Sequence, residues 1–334
     1  MRAYEINSDG GVDALSLTER PDPMPGPGEV LLKVRASSVN YRDLSTIEDP
    51  VSRNLPYPRI PNSDGAAQVL EVGEGVTRVK PGDRVMATFF QRWIDGPITE
   101  EAMASALGGA MDGMLAERVV LHQEGLVATP EHLSDVEAAT LPCAALTAWN
   151  SLVEQGNVKP GETVLLLGTG GVSNFALQFA NILGARAIIT SSSDDKLAQA
   201  KALGAWETIN YRRTPDWEKR VLELTDGRGV DHCVEVGGAG TLARSVAATR
   251  VAGSIGLIGV LTGGELNPAL IMRKSIRLQG IYVGSRRMFE DMNRAIAHHG
   301  LRPVIHRCYP FEDAREAYRA MRGAQHFGKL VIEF

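Results

Sequence analysis

The chain contains 334 residues, of which 44% are hydrophobic and 22% charged, and its formal net charge is -5 at pH 7. This composition excludes an intrinsically disordered chain, and the length favours two domains over a single hydrophobic core. The mildly acidic charge, spread along the chain, excludes nucleic acid as an expected partner.

Apolar segments are short throughout the chain. The run at 164–167 is far shorter than the roughly 20 residues that a membrane helix requires. Met1 opens into mixed polar sequence without the pattern of a signal peptide. We therefore expect no membrane partner and a cytoplasmic protein.

The region 29–120 alternates short β-branched runs with glycine and proline turns, as at 30–34, 67–72 and 83–87. Such alternation predicts a β-rich first domain. The segment 91–113 lacks clear periodicity and is expected to form a long insertion.

From about residue 160 the pattern changes to short apolar strands alternating with helices, which is typical of a doubly wound parallel sheet. The predicted strands are 163–167, 187–190, 230–236 and 254–260, and the predicted helices are 174–183, 194–203 and 240–250. Beyond them we expect helices around 289–299 and 312–322 and a last strand at 329–334. The fold class is therefore α/β.

A glycine cluster, Gly-Thr-Gly-Gly-Val-Ser at 168–173, follows the first of these strands and precedes an apolar-faced helix. This context is the one that a dinucleotide-binding loop requires. Gly168 permits a tight turn, and Gly170 lets the backbone approach a pyrophosphate at the helix N-terminus. Ser173 replaces the usual third glycine.

The tip of the next strand distinguishes the two nicotinamide cofactors. An NAD site places an acidic residue there, whereas this chain has serines at 191–193. No carboxylate then repels a 2′-phosphate, so NADP(H) is favoured and NAD(H) is less favoured. Lys196 either contacts the phosphate or is a solvated helix residue, and we interpret Asp194 and Asp195 as the start of the next helix.

Several motifs now stand in a distinctive order: Pro-Gly-Pro-Gly-Glu-Val-Leu at 25–31, Ser-Val-Asn-Tyr-Arg-Asp at 38–43, Val-Lys-Pro-Gly-Asp-Arg-Val at 79–85, the glycine loop, and Gly-Lys-Leu-Val at 328–331. Together they resemble the medium-chain dehydrogenase/reductase superfamily of alcohol dehydrogenases and quinone oxidoreductases. The resemblance implies a GroES-like catalytic domain from 1–144 and 283–334 and a Rossmann NADP-binding domain at 145–282. It also implies a catalytic cleft at their junction and a homodimer formed through the Rossmann sheet edge at 254–260 and 276–283.

Zinc-dependent members of this superfamily hold a catalytic metal through a cysteine, a histidine and a later cysteine. This sequence has Asn40 and Ser63 at the first two positions, so only Cys143 remains, with Asp64 where a glutamate usually stands. The segment 90–113 contains no cysteine for a structural zinc. A catalytic zinc needs three protein ligands, so we expect no metal, and Cys143 is more simply a small buried residue of the substrate pocket.

The resemblance is closest to the zinc-free quinone oxidoreductase branch, which also carries asparagine at the position of Asn40. It makes Asn40 the candidate donor to the substrate oxygen. Tyr41 and Arg42 are candidates to assist protonation or bind an anionic group, unless they are solvated or structurally paired. Phe89 and Trp93 are candidates for the pocket wall. Asp43 and Lys329 are implied to form an ion pair.

The remaining implied contacts are with the cofactor. They are Thr147, Gly168, Thr169, Gly170, Gly171, Val172, Ser191, Ser192, Lys196, Tyr211, Ile258, Val260, Val283, Ser285 and Lys329.

Without zinc, a conjugated acceptor is the favoured small-molecule substrate, because hydrogen-bond donors suffice for its delocalised charge. The sequence thus predicts an NADPH-dependent oxidoreductase acting on a quinone or an α,β-unsaturated carbonyl. Two alternatives stay open: a zinc alcohol dehydrogenase with atypical ligands, such as Cys143 and Asp64, and a non-catalytic protein that binds or senses NADPH.

Overall fold

A computed structural model describes residues 1–334 and divides into two units. The first joins Met1–Leu146 to Gly284–Phe334, and the second is Thr147–Val283. The first is built around a mainly antiparallel sheet and the second around a parallel sheet, so the predicted α/β fold class is confirmed.

The strands are numbered in chain order. They are β1 Arg2–Glu5, β2 Ser16–Glu19, β3 Glu29–Val39, β4 Asp64–Val72, β5 Arg84–Ala87, β6 Arg118–His122, β7 Leu126–Ala128, β8 Thr163–Leu166, β9 Arg186–Ser191, β10 Glu207–Asn210, β11 Val230–Glu235, β12 Thr249–Leu257, β13 Arg277–Gly280, β14 Ile305–Pro310 and β15 Lys329–Glu333.

The α-helices are numbered in the same way. They are α1 Gly11–Ala14, α2 Tyr41–Glu48, α3 Glu100–Met103, α4 Asp135–Ala138, α5 Leu146–Trp149, α6 Gly171–Ile182, α7 Asp194–Ala202, α8 Trp217–Leu224, α9 Ala239–Ala248, α10 Ala269–Arg273, α11 Arg286–His299 and α12 Ala314–Gly323. Two π-helical segments, Leu141–Ala145 and Asn150–Gln155, flank α5. No helix combines the length and the apolar character needed to cross a bilayer.

The first unit is organised around the long strand β3. Val30, Leu32 and Val34 are buried while Lys33 and Arg35 are exposed, which is the two-residue period of a strand with one face in the core. β3 pairs with β4, β6 and β15, all antiparallel. The pairing with β15 sets Leu330 opposite Val39, so the beginning of β15 lies beside the end of β3.

The second unit is a six-stranded parallel sheet in the order β10-β9-β8-β11-β12-β13. Its central strands β8 and β11 are buried along their whole length, as expected for a sheet covered on both faces. The chain order reverses between β8 and β11, and ligands of such sheets bind where the order reverses. The loop after β8 therefore occupies the place expected of a cofactor site.

The predicted α/β elements of this unit are confirmed within a few residues, as are the two late helices and the final strand. The sequence did not predict β10 or α8. β10 is a four-residue edge strand, and three of its residues are only half-buried, so its pattern carries no continuous apolar run.

A buried histidine links three elements of the second unit. His232 on β11 contacts the Ser151 hydroxyl through Nε2 at 2.9 Å and the Ser254 hydroxyl through Nδ1 at 2.8 Å. Burial, with a smaller contribution from Arg277, lowers the pKa of His232 to about 3. The folded protein thus keeps this imidazole neutral at pH values where the unfolded chain protonates it.

This histidine predicts a pH-dependent stability. Its pKa is lower in the folded than in the unfolded state, so its contribution is fully present above about pH 6.5 and is lost as the pH falls towards 3, by up to about 1.4 kcal/mol per pH unit. We expect the free energy of unfolding of wild type to fall more steeply between pH 7 and pH 4 than that of His232→Gln, measured by urea denaturation. Parallel profiles would contradict this assignment.

Candidate active site

The glycine loop joins β8 to α6. Gly168 has a φ of 71°, a left-handed conformation that favours glycine. A Cβ atom added at Gly168 or at Gly170 would meet no atom within 4 Å, so open space borders both residues. No side chain caps α6 at Gly170, which leaves the first amide groups of the helix available to an anion. The loop fits a pyrophosphate.

Two side chains in the first turn of α6 donate hydrogen bonds to backbone carbonyls of the glycine loop and of the residue before it. The Ser173 hydroxyl donates to the Leu167 carbonyl at 2.6 Å. The Asn174 Nδ2 atom donates to the carbonyls of Thr169, at 2.7 Å, and Gly170, at 3.1 Å. Sequence reasoning missed Asn174; a buried polar residue directly after the glycine cluster was the available signal. With these carbonyls engaged, the loop amides keep one orientation.

We expect Asn174→Leu to weaken the binding of NADPH and NADH alike, by about ten-fold, because two hydrogen bonds that order the shared pyrophosphate loop are lost. Asn181→Leu is the matched control, since Asn181 lies on the same helix and bonds only to the Leu203 carbonyl near its far end. Fluorescence titration measures both affinities. A loss confined to NADPH, or no loss at all, would contradict this role.

At the tip of β9 the structure places Ser191, which is buried. Its hydroxyl lies 3.4 Å from that of Thr169 and accepts a hydrogen bond from the Ser193 amide at 3.3 Å. The Tyr211 amide donates to the Ser191 carbonyl at 3.1 Å, which brings the predicted residue Tyr211 beside the strand tip with a partly exposed side chain. Ser192 is half-buried next to them.

The acidic residues after the strand tip begin α7, as predicted. The Asp194 carboxylate accepts hydrogen bonds from Asn210 at 2.8 Å and from Arg213 at 2.5 Å, so its charge is already paired. Lys196 lies in the first turn, where its amide donates to the Ser193 hydroxyl and partial burial lowers its pKa. Of the two acids that begin α7, Asp194 therefore has its charge paired by Arg213.

The loops after β11 and β12 are joined through Glu235, which sequence reasoning also missed. The amides of Ile258 and Gly259 donate to the Glu235 carbonyl at 2.9 and 3.0 Å. The buried Glu235 carboxylate accepts hydrogen bonds from the amides of Gly237 and Gly238 and from the hydroxyls of Thr241 and Ser245. Val260, a predicted cofactor contact, is 82% exposed in the loop beyond.

Three further predicted cofactor residues, Thr147, Val283 and Ser285, lie at or beside the sequence boundaries of the two units. Thr147 is buried on α5, and Ser285 caps α11 by accepting a hydrogen bond from the Met288 amide. Val283 is buried with a φ of 58°, and its carbonyl accepts a hydrogen bond from Asn150 at 2.8 Å. A β-branched residue in this left-handed region is strained, which marks Val283 as a position held by its surroundings.

A buried polar cluster lies in the first unit. It gathers residues that the sequence singled out from four separate segments: Ser38, Asn40, Asp43, Ser63, Asp64, Cys143 and Lys329. At its centre, the Asp64 carboxylate accepts hydrogen bonds from the hydroxyls of Ser38 and Ser63 and from the Cys143 amide, at 3.1, 2.8 and 3.3 Å. Burial raises the pKa of the Asp64 carboxyl, and Lys329 acts in the opposite direction. Burial and the Asp64 carboxyl raise the pKa of the Cys143 thiol.

Lys329 and Asp43 do not form the ion pair that the resemblance implied. The Lys329 ammonium lies 4.0 Å from Asp64 and donates to Asn40 Oδ1 at 2.5 Å and to the Val39 carbonyl at 3.1 Å. The Asp43 carboxylate instead accepts hydrogen bonds from the Asn40 amide at 2.9 Å and from Arg42 at 3.3 Å. The pairing prediction was wrong because Lys329 lies opposite the end of β3, where Asn40 is nearer.

Among the candidate catalytic residues, Asn40 is buried, and its Nδ2 atom makes no hydrogen bond of good geometry, although the Asn40 side chain lies close enough to Asp64 to counteract the rise that burial causes in the pKa of that carboxyl. Tyr41 follows at the first position of α2 with a half-exposed side chain. The Arg42 guanidinium donates to the Leu107 carbonyl at 2.6 Å and lies 4.6 Å above the ring centre of Phe89. Asn40 is thus the one of the three that presents a buried, unused donor.

The two candidate aromatic residues belong to one ring cluster of the first unit. Phe89 contacts Phe90 edge to face, and Phe90 contacts Trp93 in the same way. Trp93 is nearly buried and donates through Nε1 to the Gly96 carbonyl at 2.9 Å. Phe89 itself is completely buried.

The cluster around Asp64 does not offer the donor set of a catalytic zinc. No group of three or more His, Cys, Asp or Glu side chains is arranged to hold a metal ion. Asn40 turns its oxygen to a lysine ammonium, and the Ser63 hydroxyl donates to Asp64. A zinc ligand must instead direct a free electron pair at the metal.

Two family profiles match the chain, one described as an alcohol dehydrogenase GroES-like domain over residues 26–131 and one described as a zinc-binding dehydrogenase over residues 171–298. A zinc-type alcohol dehydrogenase-like protein of Schizosaccharomyces pombe is 44% identical over 332 residues, covering 97% of this chain and 96% of that protein. The chain therefore belongs to the medium-chain dehydrogenase/reductase superfamily and is an NAD(P)H-dependent oxidoreductase of that family.

Solved structures agree with this assignment. A putative alcohol dehydrogenase from Sinorhizobium meliloti 1021 superimposes with a TM-score of 0.91 and 44% identity, covering 99% of this chain and 98% of that one. A 2-octenoyl-CoA carboxylase reductase, solved with NADP and 2-octenoyl-CoA, superimposes with a TM-score of 0.89 and 25% identity, covering 99% of this chain and 87% of that one. The fold is thus similar both to alcohol dehydrogenases and to a reductase of an unsaturated thioester.

Proposed function

We propose that this protein is a zinc-independent reductase that transfers hydride from NADPH to a conjugated acceptor, either a quinone or an α,β-unsaturated carbonyl compound. The observation that carries the proposal is the Asn40 Nδ2 atom, a buried donor without a hydrogen bond of good geometry in a cluster where no group of His, Cys, Asp or Glu side chains is arranged to hold a metal ion. A buried unpaired donor costs free energy unless a ligand satisfies it.

Asn40 then donates to the acceptor oxygen and stabilises the negative charge that develops there. When bound, NADPH supplies the hydride. For an enone, hydride reaches the β-carbon and a proton completes the α-carbon, so the acceptor gains two electrons and two hydrogen nuclei. We assign the delivery of the proton to Tyr41 or to water beside it, because the Tyr41 side chain is half-exposed.

Three features support NADPH as the reductant. The strand tip carries the uncharged Ser191, Asp194 is paired with Arg213, and Lys196 lies in the first turn of α7. The unsaturated-thioester reductase with the same fold was solved with NADP. The predicted residues of the glycine loop, the strand tip and the loop at 258–260 form the proposed cofactor site.

The proposal is tested by initial rates of NADPH and NADH oxidation with quinones, enones, enoyl thioesters and simple aldehydes. We expect turnover of conjugated acceptors with NADPH preferred. Turnover only of simple alcohols or aldehydes, dependent on added zinc, would instead identify a zinc alcohol dehydrogenase with atypical ligands such as Cys143 and Asp64. Tight NADPH binding without oxidation by any acceptor would identify a non-catalytic binding protein.

We also propose that the enzyme is a homodimer formed through β13, the edge strand of the parallel sheet. Exposed apolar side chains occur in β12 and in the segments before and after β13; they are Val251, Leu261, Met272 and Tyr282. Exposed apolar patches of this kind mark association surfaces. Light scattering is expected to give the mass of a dimer for wild type and of a monomer for Met272→Glu, whereas a monomeric wild type would contradict the proposal.

A further inference from the structure

Lys329 is a lysine enclosed within the first unit, with a side chain only 3% exposed. It begins β15, and its long side chain passes along the end of β3. Its ammonium donates to Asn40 Oδ1 at 2.5 Å and to the Val39 carbonyl at 3.1 Å. A buried ammonium is costly and persists only where its partners are well placed, so this contact is a defined element of the cluster.

The contact determines which way the Asn40 amide faces. An ammonium carries three donors and no acceptor, so the Asn40 atom that faces it must be the oxygen. The nitrogen Nδ2 consequently faces away from Lys329, and it makes no hydrogen bond of good geometry, although the Asn40 side chain lies close to the Asp64 carboxyl and counteracts the rise that burial causes in its pKa. The Asn40 backbone is held as well, since its amide donates to Asp43 at 2.9 Å.

The contact also changes the amide electronically. A positive charge on the amide oxygen withdraws electron density through the conjugated O–C–N system and makes the N–H bonds stronger donors. Hydrogen bonds that involve a charged partner are about twice as strong as neutral ones. Chains of such bonds reinforce one another where the dielectric constant is low.

We propose that Lys329 is a positioning residue for the reduction: its ammonium orients and polarises the Asn40 amide so that Nδ2 is directed at the acceptor oxygen. This inference rests on the function proposed above for Asn40. It gives Lys329 a role in the acceptor half of the reaction, whereas the family resemblance implied a contact with the cofactor. If Lys329 acts on the acceptor, its substitution lowers kcat; if Lys329 contacts the cofactor, its substitution raises the dissociation constant of NADPH.

The test uses Lys329→Met, which keeps the apolar stem and removes the charge, in the wild-type and the Asn40→Ala backgrounds. We expect Lys329→Met to lower kcat for an enone by about 10- to 100-fold, less than the about 100- to 1,000-fold lost when a direct donor to the oxyanion is removed, because Lys329 acts through Asn40. The dissociation constant of NADPH, measured by fluorescence titration, stays the same. In the Asn40→Ala background the same substitution has no further effect on kcat, because the amide through which it acts is absent. Lys329→Arg restores most of the rate.

Loss of a buried lysine also affects folding, so each variant is compared by thermal unfolding. Lys274→Met is the matched control: the Lys274 ammonium donates to the carbonyls of Val246, Ala247 and Thr249 in the second unit. We expect this control to lose stability and to keep the wild-type kcat. If Lys329→Met does not fold, Lys329→Met/Asp64→Asn removes both charges of the pair, and Lys329→Gln retains a neutral donor.

Three results would overturn the inference. A weaker NADPH affinity with unchanged kcat would make Lys329 a cofactor contact. Additive losses from Lys329→Met and Asn40→Ala in an active enzyme would show that the two residues act independently, and would leave the proposed function intact. A wild-type enzyme that reduces no conjugated acceptor would overturn the proposed function, and this inference with it.

Discussion

Asn40→Ala is expected to lower kcat for a conjugated acceptor by about 100-fold, the range found when a single donor to a developing oxyanion is removed. The NADPH dissociation constant should not change, because the role proposed for Asn40 is a hydrogen bond to the acceptor oxygen and not a contact with the cofactor. Steady-state kinetics with one enone and fluorescence titration of NADPH measure the two quantities.

Two further variants separate chemistry from folding. Asn40→Asp has nearly the same shape but replaces the donor by an acceptor, so we expect a loss of rate at least as large as that of the alanine variant. Asn62→Ala removes another buried asparagine of the same unit, which bonds to Ser37 and Tyr318, and is expected to reduce stability while retaining kcat. An Asn40→Ala enzyme with wild-type kcat would exclude Asn40 as the oxygen donor.

Ser191→Asp is expected to change the preference for NADPH over NADH by about 100-fold in favour of NADH. A carboxylate at the strand tip repels the 2′-phosphate, and the juxtaposition of like charges costs several kcal/mol. The same carboxylate can accept the ribose hydroxyls of NADH. The measurement is the ratio of kcat/KM for the two cofactors with a single acceptor.

Ser191→Asn is the matched control, because it has the size of the aspartate without its charge. We expect it to retain the preference for NADPH. If the aspartate variant keeps the wild-type ratio, or if the asparagine variant changes the ratio equally, the strand tip at Ser191 is not the site that distinguishes the cofactors.

Local patterning was sufficient to predict most strands and helices of the Rossmann half of the fold, although not β10 or α8. The glycine loop, the apolar strands on either side of it and the start of α7 at Asp194 depend on residues close together in sequence, and the structure confirms these elements. Family motifs also indicated that Asn40, Asp64 and Cys143 stand where related enzymes hold zinc, and they implied that Lys329 pairs with Asp43. These residues lie in one polar cluster of the first unit.

The partners within that cluster were not predictable from sequence. Lys329 and Asn40 are 289 residues apart, and only the antiparallel pairing of β15 with β3 brings them together. Sequence motifs indicate which residues form such a cluster. The strand register then determines whether a long side chain such as that of Lys329 reaches one carboxylate or amide or another. Asn174 was missed for a related reason, because its partners are backbone carbonyls, which leave no trace in a pattern of side chains.

The central claim is that the enzyme reduces a conjugated acceptor without zinc. The most direct measurement uses NADPH deuterated at the transferred position, a cyclic enone, and enzyme whose metal content is determined in the same preparation. We predict deuterium on the β-carbon of the product. We also predict a zinc content far below one ion per chain and a rate that does not depend on that content. Deuterium on the carbonyl carbon, or activity proportional to bound zinc, would contradict the claim.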